Sequence, residues 1–211
     1  DMVYFGSSEG LLYAVDENNG KTRWTYSTKG EVVNAPLRSD EILVFRSSEG
    51  TIHGVNAESG EWVWDYHRDS PKSLIIKGQG EMTIQDGKLF AGFDDGTVVS
   101  LSVEGGQVVW TKSLARAGKN FPDIDSRPLL VDGAVVVTSY SGGVYALDRE
   151  DGSIRWHQPI TFGTTPARVG DSLLLSTTNG RIVSLDAKTG ALRWTRAICD
   201  GTLSPLRTVG R

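Results

Sequence analysis

The side chains able to do chemistry are few and scattered. A single cysteine, Cys199, excludes an intramolecular disulfide framework and a cysteine-based zinc cage. The three histidines, His53, His67 and His157, have no carboxylate or cysteine around them at metal-ligand spacing. Asp94-Asp95 lies in a turn signal and reads as a hairpin rather than a metal site. Asp123-Ile124-Asp125-Ser126 lacks the glycine and distal glutamate of a calcium loop. No G-x-S-x-G elbow, phosphate-binding loop or dinucleotide fingerprint occurs. These residue types argue against catalysis and point to no metal and no cofactor.

The elements that must carry these residues are set by an internal repeat. Five ungapped 22-residue segments cover residues 3–24, 43–64, 89–110, 135–156 and 173–194, each running from an apolar residue to a tryptophan. Their tryptophans, Trp24, Trp64, Trp110, Trp156 and Trp194, are 40, 46, 46 and 38 residues apart, so the cores are fixed while the connections vary. The eighth position is always glycine, and Asp95-Gly96 and Asn179-Gly180 read as two-residue hairpin turns with both residues at positive φ. The fourteenth position is Asp16, Asn56, Ser102, Asp148 or Asp186, with a glycine four residues on. A side-chain oxygen capping a turn that glycine closes predicts a second hairpin. Between the turns, positions ten and thirteen are aliphatic and position twelve is always small, so this strand is apolar on both faces and must be covered on both. His53 takes a strand position occupied by Tyr or Val in the other cores and reads as packing.

A further short strand precedes four of the cores, introduced by Pro36, Pro128 and Pro166, with Met82 in the third. Four short antiparallel strands per repeat predict an all-β fold, a β-propeller of about five four-stranded blades forming one domain over residues 1–211. An open β-solenoid or stacked sandwich is the alternative. The C-terminal residues Leu203 to Arg211 read as the introductory strand of a further repeat, and the first core lacks one. The C-terminal strand is therefore expected to complete the first blade and close a five-bladed ring; the competing reading is a piece of a larger propeller.

Composition agrees with a packed globular chain. Of 211 residues, 38% are hydrophobic and 23% charged, which is no signature of disorder. The 25 glycines, about 12% against an average near 7%, signal many tight turns. A net charge of −4 excludes a mainly electrostatic nucleic-acid binder. No apolar run approaches the ~18 residues of a membrane span, so membrane attachment is expected only through an anchor outside this chain.

The repeat pattern G-x-L-Y-A-L-D-x-x-T-G-x-x-x-W, closely matched by Gly143 to Trp156, resembles the pyrroloquinoline-quinone-type propeller repeat. That repeat is shared by quinoprotein dehydrogenases and by proteins that bind no quinone, and so names a fold rather than a function. Two long connections are more specific. Ser73-Leu74-Ile75-Ile76-Lys77-Gly78 and Asp123-Ile124-Asp125-Ser126-Arg127-Pro128 resemble two loops of the BamB family, lipoproteins of the outer-membrane β-barrel assembly machinery.

That resemblance implies a periplasmic, non-catalytic scaffold whose loops face the POTRA domains of the barrel insertase BamA, with unfolded outer-membrane proteins as further partners. Carried over by position, the binding residues are Leu74, Ile76 and Lys77 from the first loop and Asp123 and Asp125 from the second, with Phe121 as an added aromatic anchor. An aliphatic pair beside a lysine with two carboxylates nearby is a normal composition for a protein-recognition patch. Lys77 stands where the family favours arginine and cannot make the bidentate fork. Read structurally instead, Leu74 and Ile76 are blade core, and Asp123 and Asp125 cap the turn before Pro128. Two other functional readings remain: a propeller binding another protein or a small ligand in its channel, and a fragment of a quinone-binding dehydrogenase.

Overall fold

The computed structural model describes residues 1–32, 34–68, 80–115, 122–161 and 163–207, and among these every regular element is a β-strand. The first sheet is β1 (Met2–Gly6), β2 (Leu11–Asp16) and β3 (Thr22–Ser27). The second is β4 (Leu37–Ser39), β5 (Ile42–Arg46), β6 (Ile52–Asn56) and β7 (Trp62–Tyr66). The third is β8 (Met82–Gln85), β9 (Lys88–Gly92), β10 (Thr97–Ser102) and β11 (Val108–Ser113). The fourth is β12 (Leu129–Val131), β13 (Ala134–Ser139), β14 (Gly143–Asp148) and β15 (Ile154–Gln158). The fifth is β16 (Ala167–Val169), β17 (Ser172–Ser176), β18 (Arg181–Asp186) and β19 (Leu192–Ala197). In each sheet sequential strands are neighbours, so each repeat is one up-and-down sheet. The introductory strands β4, β8, β12 and β16 stand where the sequence put them.

The two turns of each core differ. The second follows expectation: Asp16, Asn56, Asp148 and Asp186 each accept a backbone N–H from the turn through Oδ1, and Gly20, Gly60, Gly152 and Gly190 close it at φ near +70°. The first does not. Of Asp95 and Gly96 only the glycine has positive φ, and Phe93 exchanges backbone bonds with Thr97 and Gly96. This is a three-residue loop ending in a left-handed glycine, not a two-residue turn, and the turn at Asn179-Gly180 repeats it.

Register explains the small twelfth position. Ala14, Gly54, Ala146 and Ser184 lie directly opposite Trp24, Trp64, Trp156 and Trp194. A β-carbon on Gly54 would come within 2.3 Å of the Trp64 ring. Immediately beyond this pair the register shifts in all four sheets, a bulge that leaves Arg23, Val63, Arg155 and Arg193 unpaired on the outer strand. The three arginines use that freedom. Each reaches the Oδ2 of its own turn-capping aspartate, Asp16, Asp148 or Asp186, at 2.6–2.8 Å, and holds that carboxyl below its ordinary pKa.

The described residues form two compact units: those within Asp1–Pro71, Ile84–Leu89 and Leu101–Val108 form one, and those within Lys72–Thr83, Phe90–Ser100 and Val109–Arg211 the other. In the first, Tyr4, Leu12 and Trp24 pack on Leu43, Phe45 and Val55 of the next sheet. Trp24 lies against Gly60 and donates its indole N–H to the Ala57 carbonyl at 3.2 Å, and Trp64 does the same with Gly106 and the Val103 carbonyl at 2.8 Å. His53 stacks on Phe45 at 5.0 Å, so its packing role holds.

The second unit repeats the scheme. Phe90, Val98, Trp110 and Leu114 meet Val135, Val137, Tyr145 and Leu147, and Trp110 lies on Gly152 and donates to the Arg149 carbonyl at 2.9 Å. Val136, Val144, Trp156 and Ile160 meet Leu173, Leu175, Val183 and Leu185, with Trp156 on Gly190. The central strands β10 and β14 are buried on both faces, as the sequence requires.

The C-terminal residues depart from expectation. The first sheet has three strands, and Leu203 to Arg207 form none, so among the described residues no C-terminal strand completes it. The chain is held at the fifth sheet instead: Ser176 Oγ donates to the Ser204 carbonyl at 2.6 Å, and Thr202 Oγ1 donates to the Thr178 carbonyl at 3.1 Å.

Candidate functional site

Four of the six expected binding residues, Leu74, Ile76, Lys77 and Phe121, lie outside the described residues. Asp123 and Asp125 lie in the extended segment from Pro122 to Pro128 that leads into β12, and their placement follows from Ile124 between them. Ile124 is 1% exposed; its N–H bonds the Phe93 carbonyl at 3.1 Å and its side chain fills the space over Gly92, where a β-carbon would come within 2.4 Å. Alternation along extended chain then turns both carboxylates away from that core.

The segment is fixed on its other side by the fourth sheet. Ser139 Oγ donates to the Pro122 carbonyl at 3.0 Å, Tyr140 N–H bonds the Asp123 carbonyl at 3.2 Å, and Thr138 N–H bonds Ser126 Oγ at 2.8 Å. A cleft of about 220 Å³ opens here, lined by Asp123, Asp125, Ser126, Tyr140, Thr164 and Thr165 among others. Asp125 is exposed, whereas Asp123 is half-buried with its Oδ1 buried and without a hydrogen-bond partner. Burial first, then the hydrogen bond and charge of Asp125, push the Asp123 carboxyl up to about 7. Asp123 therefore keeps its proton up to near neutrality. The cleft can therefore offer either a carboxylic O–H or a second negative charge, depending on what enters it.

Ser126, Tyr140, Thr164 and Thr165 were not among the expected residues. Tyr140 had a signal: it is an aromatic at the sixth core position, where the other repeats have Ser8, Ser48, Asp94 and Thr178. The threonines had none, because their role depends on how two connecting segments meet. The histidines join no such site. His67 Nδ1 lies 2.9 Å from Thr51 Oγ1, and His157 bonds the Gly142 carbonyl and stacks on Tyr145. Asp95 Oδ1 accepts the Thr97 N–H within its turn. Among the described residues no group of three or more His, Cys, Asp or Glu is arranged to hold a metal ion.

Sheets of this kind, one per repeat and joined front to back by a tryptophan, define a β-propeller built from pyrroloquinoline-quinone-type repeats. The solved structure of BamB from Moraxella catarrhalis matches with a TM-score of 0.83 and 25% identity, over 96% of this chain and 62% of that one. Quinohemoprotein alcohol dehydrogenase from Comamonas testosteroni matches with a TM-score of 0.68 at 18% identity, a likeness of fold alone. The family model "Outer membrane protein assembly factor BamB" covers residues 1–196, and the chain belongs to this family. Relatives carrying that name from Salmonella typhimurium and Escherichia coli are each 37% identical over 163 residues, 75% of this chain and 41% of theirs. The chain thus spans about two-fifths of the length of the curated relatives it matches.

Proposed function

We propose that this chain is a non-catalytic adaptor in outer-membrane protein assembly, working in the periplasm and binding the POTRA domains of a BamA-like barrel insertase. The observation that carries the reading is family membership: the relatives matched across most of this chain are named assembly factors. Asp123 and Asp125 form the acidic part of the binding surface, and Leu74, Ile76, Lys77 and Phe121 its apolar and basic part. A half-buried acid beside an exposed one suits a basic side chain on the partner, because a cation entering the cleft favours the ionised form of Asp123. Unfolded outer-membrane proteins are the clients such an adaptor would help deliver, and a lipid anchor outside this chain would tether it to the membrane.

The test is a titration of the purified chain against isolated POTRA domains, with Leu74→Asp and Asp123→Arg as variants that keep the wild-type melting transition. Each variant is expected to lose at least roughly tenfold in affinity, about 1.4 kcal/mol. Wild type that fails to bind up to tens of micromolar while folded, or variants that bind as wild type does, would overturn the reading.

A further inference from the structure

Most polar groups around the cleft beside Asp123 are already bonded within the fold. Thr164 Oγ1 lies 2.8 Å from Ser176 Oγ, Thr165 Oγ1 accepts the Arg127 N–H at 3.3 Å, and Ser126 Oγ accepts the Thr138 N–H. No basic side chain stands among the described lining residues. Arg127, in the same segment, sends its guanidinium to Thr83 Oγ1 at 3.4 Å and to Glu81 at 3.9 Å instead. Asp123 Oδ1 is buried without a hydrogen-bond partner, and an acceptor left in that state costs stability until a donor reaches it. What the cleft lacks is a cationic donor.

Tyr140 lines the same cleft from the turn between β13 and β14 and is 42% exposed. Its turn is held firmly. Tyr140 N–H bonds the Asp123 carbonyl at 3.2 Å, while Ser139 Oγ donates to the Pro122 carbonyl at 3.0 Å and accepts the Gly142 N–H at 3.1 Å. An aromatic side chain on so fixed a turn can be covered by a partner at little entropic cost. The sheet itself does not call for a ring here, since the other repeats place Ser8, Ser48, Asp94 and Thr178 at this position. The aromatic is an addition at one turn, the turn that adjoins the acid pair.

We propose that the cleft is a socket for one arginine side chain of a protein partner, with Tyr140 as a binding residue: the guanidinium lies on the phenol ring while its N–H groups reach the carboxylates of Asp123 and Asp125. Arginine suits these groups better than lysine. Its planar guanidinium stacks on an aromatic face and offers paired donors to a carboxylate, whereas an ammonium is a compact and strongly hydrated point charge. Size agrees with a single side chain, because about 220 Å³ falls below the roughly 300–1,000 Å³ of pockets that hold whole small molecules. The identity of the partner rests on the adaptor function proposed above; the socket does not.

The test uses two probes on the 211-residue chain. Argininamide, titrated into the protein and followed by backbone amide NMR, is expected to bind with a Kd on the order of millimolar and to shift the signals of Ser126, Tyr140 and Thr165. Citrullinamide, of the same shape without the charge, should shift none of them. Tyr140→Phe keeps the ring and should bind argininamide within roughly twofold of wild type, whereas Tyr140→Leu keeps apolar bulk without a π face and should lose roughly three- to fivefold. The position varies between repeats, so both variants should keep the wild-type melting transition. The same ranking is expected for isolated POTRA domains. Argininamide that shifts nothing, citrullinamide that binds as well, or Tyr140→Leu that binds argininamide as wild type does would overturn the socket, whatever the POTRA titration gives. Argininamide binding by a chain that ignores POTRA domains would uphold the socket and overturn the adaptor reading instead.

Discussion

Replacing Asp123 by asparagine should stabilise the chain at neutral and alkaline pH and do little in acid. The folded state holds this carboxyl at about 7 because burial and the neighbouring Asp125 disfavour its charge. In the unfolded chain it titrates near the ordinary aspartate value of ~3.9. Below that value both states are protonated and the group contributes nothing. Between about 4 and 7 only the folded state keeps the proton, so stability falls as pH rises through this window, and above 7 the full cost is present. At ~1.36 kcal/mol per tenfold change in acidity the unscreened cost would be about 4 kcal/mol. Asp123 is partly open to the cleft, and solvent screening brings this to about 1–2 kcal/mol. Asparagine keeps the shape and removes the charge. Urea denaturation of both proteins should give a difference of that size near pH 8, shrinking towards zero near pH 4, with a melting-temperature gain of about 3–6 °C at the higher pH. A variant no more stable than wild type near pH 8, or one whose gain is the same at both pH values, would refute the argument. The same substitution should weaken POTRA binding, since the charge that costs stability is the one proposed to meet the partner.

Two further outcomes follow from the packing. Gly106→Ala and Gly20→Ala both place a side chain at φ +69°, which costs each about 1 kcal/mol, but only the first drives a β-carbon to within 2.6 Å of the Trp64 ring. Gly106→Ala should therefore lose roughly 1–3 kcal/mol more than Gly20→Ala in urea denaturation, and equal losses would count against the tryptophan–glycine seam. His53, stacked on Phe45 with neither ring nitrogen hydrogen-bonded, has its pKa lowered by burial. Its neutral form stabilises the fold fully above about pH 6.5, and that contribution is lost as pH falls below it. His53→Phe should flatten the acid limb of the stability profile below about pH 6.5, and an unchanged limb would show that other groups govern it.

Much of this architecture was legible because the repeat states the same local instruction five times. The capping oxygen and closing glycine of the second turn act within five residues, so spacing alone predicts them. The smallness of the twelfth position was equally visible, but its cause, a tryptophan directly across the ladder, needed the register. The first turn was misread because Asp95-Gly96 looks like a two-residue turn, and only the backbone bonds from Phe93 to Thr97 and Gly96 reveal the extra residue. The left-handed Asp40, Asp86 and Asp132, in the turns after the introductory strands, gave no signal of their own. At the candidate site, the residues Asp123 and Asp125 could be named from loop resemblance. Their unequal electrostatics could not, because these depend on Ile124 anchoring the segment beneath Asp123 and on Tyr140 and Ser126 closing the cleft beside it.

The bulge beside each tryptophan has a consequence for which neighbours the chain refuses. Outer strands β3, β7, β15 and β19 are sheet edges, and an edge that is straight and apolar is a template for fibril growth. Ile154 and Leu192 are 45% and 56% exposed on two of these edges. In the same strands the bulge breaks the regular run of backbone donors and acceptors, and Arg155 and Arg193 place a charge at the break. An incoming extended segment can match the ladder on one side of the bulge only, and it must desolvate a guanidinium to pass it. Surfaces that are greasy enough to attract exposed β-strands are thereby kept from templating them.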